Sequence, residues 1–345
     1  MTFVRRIAAL TTLVCCLGPA HALDKVARNP YLGAIVIDDA SGRVLFEDNA
    51  DARGYPASVT KLMTFLVIME RVQTGQLSRD TPVSVSAEAS RTGGSQVYLK
   101  QGEVFTVDEL LYALMIQSAN DAAVALAGHA AGSREGFVNL MNAKARELGM
   151  TNTTFHSPHG LPPGAGQQVD ITTARDLATL SRELIDHGDV LRYSSVKVRT
   201  LRGNTANPFE MRNHNHLLGK LAGCDGLKTG YFSAAGYSLA ATVERNGRRI
   251  ITVVLGSDAS KTRDFKVMEL VEMGFAAMDA TIPTIMTTVA PVKQVTAAAK
   301  PVQPAATPAT PSVIPTVRTD KSVEQNSTAK DPVITFRVIP PEKKK

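Results

Sequence analysis

Three short strings in a fixed order constrain this 345-residue chain more than anything else in it. They are Ser58-Val59-Thr60-Lys61, then Ser118-Ala119-Asn120, then Lys228-Thr229-Gly230. Each alone is a weak signal. Ser-x-x-Lys recurs at Ser194/Lys197 and Ser327/Lys330, and a serine capping a helix with a lysine one turn later is ordinary. Only the copy at Ser58 opens a strongly apolar run, and the other two strings occur once each. Together they supply a nucleophile, amine bases, proton carriers and a cationic strand edge. Acyl transfer through a serine ester needs those parts.

The chemistry predicts where these residues must sit. A serine hydroxyl is a poor nucleophile without a base in hydrogen-bond reach. Lys61 lies three residues beyond Ser58, one helical turn away and on the same face. A lysine becomes a base near neutral pH only when burial or a neighbouring cation lowers its pKa. Leu62-Met63-Thr64-Phe65-Leu66 supplies the desolvation, and Lys228 is the candidate second cation. Ser58 at a helix start also places its amide beside a developing oxyanion. Ser118 can relay a proton and the Asn120 amide can orient Lys61, although both residue types also favour helix starts for capping alone. On an edge strand, Lys228 and Thr229 can hold a substrate carboxylate, while Gly230 allows the substrate backbone to come close. A lysine on such an edge also serves simply to block aggregation.

Composition shifts divide the chain into three. Residues 1–22 read as a secretory signal peptide: Arg5 and Arg6, an apolar stretch from Ile7 to Leu17, then small residues at Ala20 and Ala22. An uncleaved N-terminal anchor is the alternative. A lipid-modified cysteine is disfavoured, since Val14 and Cys15 precede Cys15 and Cys16 where a small residue is expected. Past the signal only Cys224 remains, so an exported chain has no internal disulfide and must rely on its core. Residues 23–280 are long enough for that core. From Thr281 the sequence turns to Ala, Pro, Thr and Val with nine Lys/Arg against four Asp/Glu. It reads as a disordered basic tail over 281–345, a spacer with a weak contact to anionic envelope surfaces as a further possibility. The formal net charge of +6 therefore lies in the two ends, and with no Trp in the chain nucleic-acid binding is not indicated.

Between the ends, residues 32–37 and 44–46 read as strands around a turn at Ala40-Ser41-Gly42. A buried helix is expected over 61–72. Thr106-Val107-Asp108-Glu109 is a capping box opening a helix to about Gln117, and a second helix begins near Asn120. Ser118 would then sit at a helix junction. Helices are expected over 137–148, 176–185 and 263–277, with a Pro/Gly-rich loop over 157–168. Asn246-Gly247 marks a hairpin between strands 236–243 and 249–255. Strands at both ends and helices between predict an α+β fold, an antiparallel sheet flanked by helices plus a helical lobe.

With the motifs in place, residues 31–278 resemble the low-molecular-mass penicillin-binding proteins, the serine-type D-alanyl-D-alanine carboxypeptidases of the DacA kind. Pro158-His159-Gly160-Leu161, the run Asn213 to Leu218, and Ala235-Gly236-Tyr237 strengthen the likeness. The resemblance implies a β-lactamase/transpeptidase-like fold with no cofactor and no metal. It implies that Ser58 is acylated by the penultimate D-alanine of a peptidoglycan stem peptide, with Lys61 as base and Ser118 and Asn120 completing the proton network. Lys228 and Thr229 would contact the substrate and its carboxylate, as would Arg263. The amides of Ser58 and Tyr231 would form the oxyanion hole, and β-lactams would acylate Ser58 and leave slowly. The expected location is the periplasm or another extracytoplasmic face of the envelope. Departures are Phe232, where many relatives carry a small hydroxyl residue, and a tail without the strand patterning of the family's second, all-β domain or its amphipathic anchor.

Three rival readings remain. A class A β-lactamase would need a deacylating glutamate, and the nearest string, Glu135 to Asn139, falls in an amphipathic helix instead of the loop. A D,D-endopeptidase that cuts cross-links fits the same motifs. A non-catalytic peptidoglycan-binding protein would be expected to carry a damaged motif, and all three are intact. His156/His159 and His214/His216 have ligand-like spacing without an accompanying acidic or Cys cluster, so metal binding is not expected.

Overall fold

A computed structural model describes residues 23–280 except 165, 187 and 188. The expected signal peptide and basic tail lie outside the described residues. Elements follow in chain order. Strands β1 (Gly33–Asp38) and β2 (Val44–Asp48) come first. A 3-10 turn (Ala57–Thr60) runs directly into helix α1 (Lys61–Gln73). Next are β3 (Pro82–Ser84), α2 (Ala87–Ser90), β4 (Val104–Thr106), α3 (Val107–Ile116), α4 (Asn120–Ala131) and α5 (Arg134–Glu147). After the long loop come α6 (Ala174–Asp186), α7 (Val190–Ser194), β5 (Val198–Leu201) and β6 (Phe209–Arg212). The chain then forms β7 (Cys224–Phe232), β8 (Gly236–Arg245), β9 (Arg248–Ser257) and α8 (Ser260–Ala280).

The main sheet has the order β2-β1-β9-β8-β7, with every pairing antiparallel. The N-terminal hairpin thus joins the C-terminal one, and β7 is left as an edge. The β8–β9 turn uses Asn246 and Gly247 at φ 52° and 70°, the left-handed pair that a two-residue hairpin requires. Alternation along β1 divides its side chains between two cores. Ile35 and Ile37 face the helical side, while Ala34 and Val36 face α8. Val267, Leu270, Val271 and Phe275 of α8 cover that second face. The expected α+β arrangement is therefore a sheet with apolar packing on both sides, and α1, α3, α4, α5 and α6 build the larger core.

Local sequence explains the lobe. The first nine residues of α1, Lys61 to Met69, are all buried, as its unbroken apolar run predicted. The Thr106–Glu109 capping box forms: Thr106 Oγ1 accepts the Glu109 amide N–H at 3.2 Å, and Glu109 Oε2 accepts the Thr106 N–H at 2.8 Å. It starts α3, which delivers Ser118 to the junction with α4. The two-stranded sheets β3–β4 and β5–β6 were not legible as strands, being only three or four residues long. Because the cap acts on α3 alone, Thr106→Ala should lower unfolding free energy by about 1 kcal/mol and Tm by roughly 2–4 °C. Thermal denaturation followed by circular dichroism checks this.

Candidate active site

The three strings converge from three parts of the fold. Ser58 lies in the 3-10 turn, whose entry residue Ala57 is held at φ 48°. That is a slight revision, because Ser58 precedes α1 within a continuous turn instead of starting the helix itself. Lys61 follows one turn later with its side chain fully buried. Its Nζ lies 3.0 Å from Ser58 Oγ, 2.7 Å from Asn120 Oδ1 and 2.8 Å from the His159 carbonyl oxygen. Two of these partners can only accept. The third, a hydroxyl, can donate. A neutral amine has two N–H donors and one lone pair, which is the matching set. Burial first, and then the Lys228 cation, push the Lys61 pKa well down, with Asp170 and Asp121 opposing.

Asn120 is positioned on its other side: its Nδ2 donates to the Gly93 carbonyl at 2.8 Å and its amide N–H to the Ser95 carbonyl at 2.8 Å. Gly94, at φ 76°, leaves space for that amide, since a Cβ there would come within 2.6 Å of Asn120 Nδ2. Ser118 occupies the left-handed region at φ 59°, and its buried Oγ has no hydrogen-bond partner within the protein. A buried hydroxyl on a residue held in the left-handed region and lacking a protein partner is the kind of exception that clusters at functional sites.

Lys228 is buried on the edge strand β7, and its Nζ donates to the Thr229 carbonyl at 3.0 Å. Burial and the Arg263 guanidinium lower its pKa to about 7, so it can carry a proton in either direction near neutral pH. Gly230 also makes a close approach within the protein. A Cβ on it would lie 2.4 Å from the Pro56 carbonyl oxygen, 3.0 Å from Val59 Cγ2 and 3.1 Å from the Ser58 amide nitrogen. The missing side chain lets β7 close on the Ser58 turn. Thr229 is buried beside it. Tyr231 exposes its ring and stacks on Tyr237 at 4.1 Å between centroids, while Phe232 stacks on Tyr55 at 5.8 Å.

Arg263 on α8, the expected carboxylate contact, is buried. Its Nε and Nη2 donate to Asp264 Oδ1 at 2.9 and 2.6 Å, and Nη1 reaches the Ser238 carbonyl at 3.4 Å. The guanidinium is thus pre-positioned, with part of its fork already used. Cys224, at the start of β7, is half-buried with its thiol pKa pushed up by burial, which does not suit a nucleophile.

The histidine pairs have other duties. His159 Nδ1 accepts the Leu161 N–H at 3.1 Å, and burial with Lys61 nearby lowers its pKa to about 3. His214 is lowered to about 4 by burial and the Lys228 cation. Among the described residues, no group of three or more His, Cys, Asp or Glu side chains is placed to hold a metal ion. Glu135 is exposed on α5 and paired with Arg134, whereas Phe137 two residues on is core. Two residues escaped the sequence reading. The His159 carbonyl on Lys61 is a backbone group whose only signal was the loop string around it. Asp170, buried beside Thr60, had no signal beyond being one carboxylate between apolar neighbours.

A family model described as D-alanyl-D-alanine carboxypeptidase (peptidase family S11) matches residues 30–259, two-thirds of the chain. The chain belongs to this family. It is 38% identical over 262 residues to the carboxypeptidase DacF of Bacillus subtilis, covering 75% of this chain and 66% of that one. It is 37% identical over 294 residues to DacC of Escherichia coli, covering 82% and 71%. Among solved structures, penicillin-binding protein D2 of Listeria monocytogenes in its ampicillin-bound form aligns at 34% identity, with a TM-score of 0.64 over 71% of this chain and 97% of that one. Penicillin-binding protein 6B of Escherichia coli aligns at 32% identity and TM-score 0.66, covering 75% and 80%. The expected transpeptidase-like fold and the expected family both stand. The chain spans 66% of the length of DacF.

In this setting Gly230→Ala should leave the fold in place but push the Ser58 turn away from β7, because the nearest clashing atom, the Pro56 carbonyl oxygen at 2.4 Å, belongs to backbone. A displacement of even 1 Å at a reacting group costs on the order of 100-fold in rate. Stopped-flow acylation by a chromogenic cephalosporin should show that loss, with an unchanged far-ultraviolet circular dichroism spectrum.

Proposed function

We propose that this protein is a serine-type carboxypeptidase that removes the terminal D-alanine from peptidoglycan stem pentapeptides, working on the extracytoplasmic side of the envelope. The observation that carries the reading is the three-partner environment of Lys61 Nζ, with Ser58 Oγ at 3.0 Å. The neutral amine takes the Ser58 proton as Oγ attacks the penultimate D-alanine carbonyl. General-base help of this kind is worth about 10²–10⁴ in rate. The Ser58 and Tyr231 amides receive the oxyanion, and each such donor contributes on the order of 10²–10³.

Collapse of the tetrahedral species requires a proton on the leaving amine. Lys228, with a pKa of about 7, and the Ser118 hydroxyl are the carriers. Thr229 and Arg263 supply the cationic and hydroxyl surroundings for the departing carboxylate. Water then attacks the Ser58 ester and restores the free hydroxyl. β-Lactams enter the same path, their ring carbonyl standing in for the scissile one. This is consistent with the ampicillin-bound and cefotaxime-bound forms of the Listeria protein. Among the described residues, no helix is long and apolar enough to cross a membrane.

Incubation with a fluorescent penicillin, followed by peptide mass mapping, should place the label on Ser58. Ser58→Ala should abolish labelling, and Lys61→Ala should slow it by about 100-fold or more. Normal labelling without Lys61 would remove it as the base. Digesting free pentapeptides and cross-linked muropeptides in parallel should show faster release of D-alanine from the former.

A further inference from the structure

The loop that carries His159 lies outside any helix or strand, yet its carbonyl is held at 2.8 Å from Lys61 Nζ. One buried carboxylate accounts for this. Asp170 Oδ1 accepts the amide N–H groups of His156 at 2.6 Å and Ser157 at 3.0 Å. Its Oδ2 accepts the hydroxyls of Ser157 and of Thr60, each at 3.0 Å, and Thr60 adjoins Lys61. Asp170 is itself fixed, because Ile171 exchanges two backbone hydrogen bonds with Thr154, and Thr172 two with Gly54, just ahead of the nucleophile turn. Further ties complete the clamp. Thr64 Oγ1 donates to the Pro158 carbonyl at 2.6 Å, and Gly160, at φ 77°, packs so tightly that a Cβ would lie 1.8 Å from the Ala57 carbonyl oxygen.

We propose that Asp170 is a positioning residue for acylation: its buried carboxylate, gripping the His156 and Ser157 amides and the Thr60 hydroxyl, fixes the His159 carbonyl on Lys61 and adds a negative charge to the surroundings of that amine. This rests on the reading of Ser58 as nucleophile and Lys61 as base. All four lone-pair directions of the carboxylate face donors, and the Ser157 hydroxyl already accepts the Gly160 N–H at 2.8 Å. A protonated Asp170 would have to break that arrangement. Burial outweighs the four donors and raises its pKa above the ordinary carboxylate value, the donors limiting the rise.

Several charged or titratable groups surround Lys61. Asp170, from the segment before α6, and Asp121, from α4, favour its cation; Lys228, from β7, opposes it. The His159 and His214 imidazoles, with pKa values near 3 and 4, are neutral over the working range. Asp121 is spoken for by the amides of Val97, Leu99 and Ala122. Asp170 is therefore the carboxylate that joins the base and the loop presenting its acceptor.

The experiment follows Ser58 labelling by fluorescent penicillin from pH 5 to pH 10 in wild type, Asp170→Asn and Asp170→Ala. Asparagine keeps an acceptor for the two amides, and its NH2 meets two rotatable hydroxyls, so the clamp survives without its charge. Removing that charge lowers the Lys61 pKa, and the acidic limb of the rate profile should move down by about one pH unit. Alanine loses the clamp and should label at least about 10-fold more slowly at every pH. An unshifted profile in Asp170→Asn would overturn the electrostatic role, and wild-type rates in Asp170→Ala would overturn the positioning role. Carboxyl 13C NMR of the wild type gives a check that needs no variant: Asp170 should keep a carboxylate shift with no titration across pH 6–9, and a protonated signal at pH 7 would refute the proposal. A wild-type protein that takes no label on Ser58 would instead remove the reading beneath it.

Discussion

An amine placed where water cannot reach it is the constraint on which this molecule turns. Moving an ammonium out of water costs several kcal/mol even after relaxation, and Lys61 is fully buried at the head of a helix whose next eight residues are buried too. The cheapest response is to lose the proton, and Lys228 nearby reinforces it. In the proposed mechanism the amine is neutral, its two N–H groups taken by Asn120 Oδ1 and the His159 carbonyl and its lone pair turned toward Ser58. The large core of the helical side thus holds the fold together and also lowers the proton affinity of Lys61.

Delivery of the other groups follows from where chain segments end. The capped helix α3 stops at Ile116, and the strained Ser118 turns the chain into α4 so that Asn120 meets Lys61. The edge strand β7 brings Lys228 in from the sheet, and Gly230 lets that strand touch the Ser58 turn. Behind the sheet, α8 buries Arg263 with Asp264 and the Ser238 carbonyl as its rests. Ser58, Lys61 and the acceptors around it thus sit on elements braced by both cores, so the proposed reaction would require little reorganisation when substrate arrives.

Much of this was legible in the sequence because the features involved are local. The Ser58/Lys61 spacing, the Thr106–Glu109 cap and the Asn246-Gly247 hairpin each depend on residues within four positions of one another, and each formed. The order of the three motifs carried the fold class by resemblance, and the antiparallel sheet agrees with it. Long-range contacts were not legible. Asp170 acts on Thr60 across 110 positions, and a carbonyl such as that of His159 carries no side-chain signature. Gly230 was legible as a close-approach residue, but its approach to the Pro56 carbonyl was not, since sequence does not say which backbone comes near. The short strands β3 to β6 lack enough residues for a period to show.

The ionisation state of Lys61 is the quantity to measure. Selective 13Cε labelling of lysine, with the resonance assigned through Lys61→Arg, would follow its titration directly by NMR. A signal in the neutral-amine position at pH 8 is the expected result. An ammonium that persists above pH 10 would contradict the account, since no base would then stand beside Ser58.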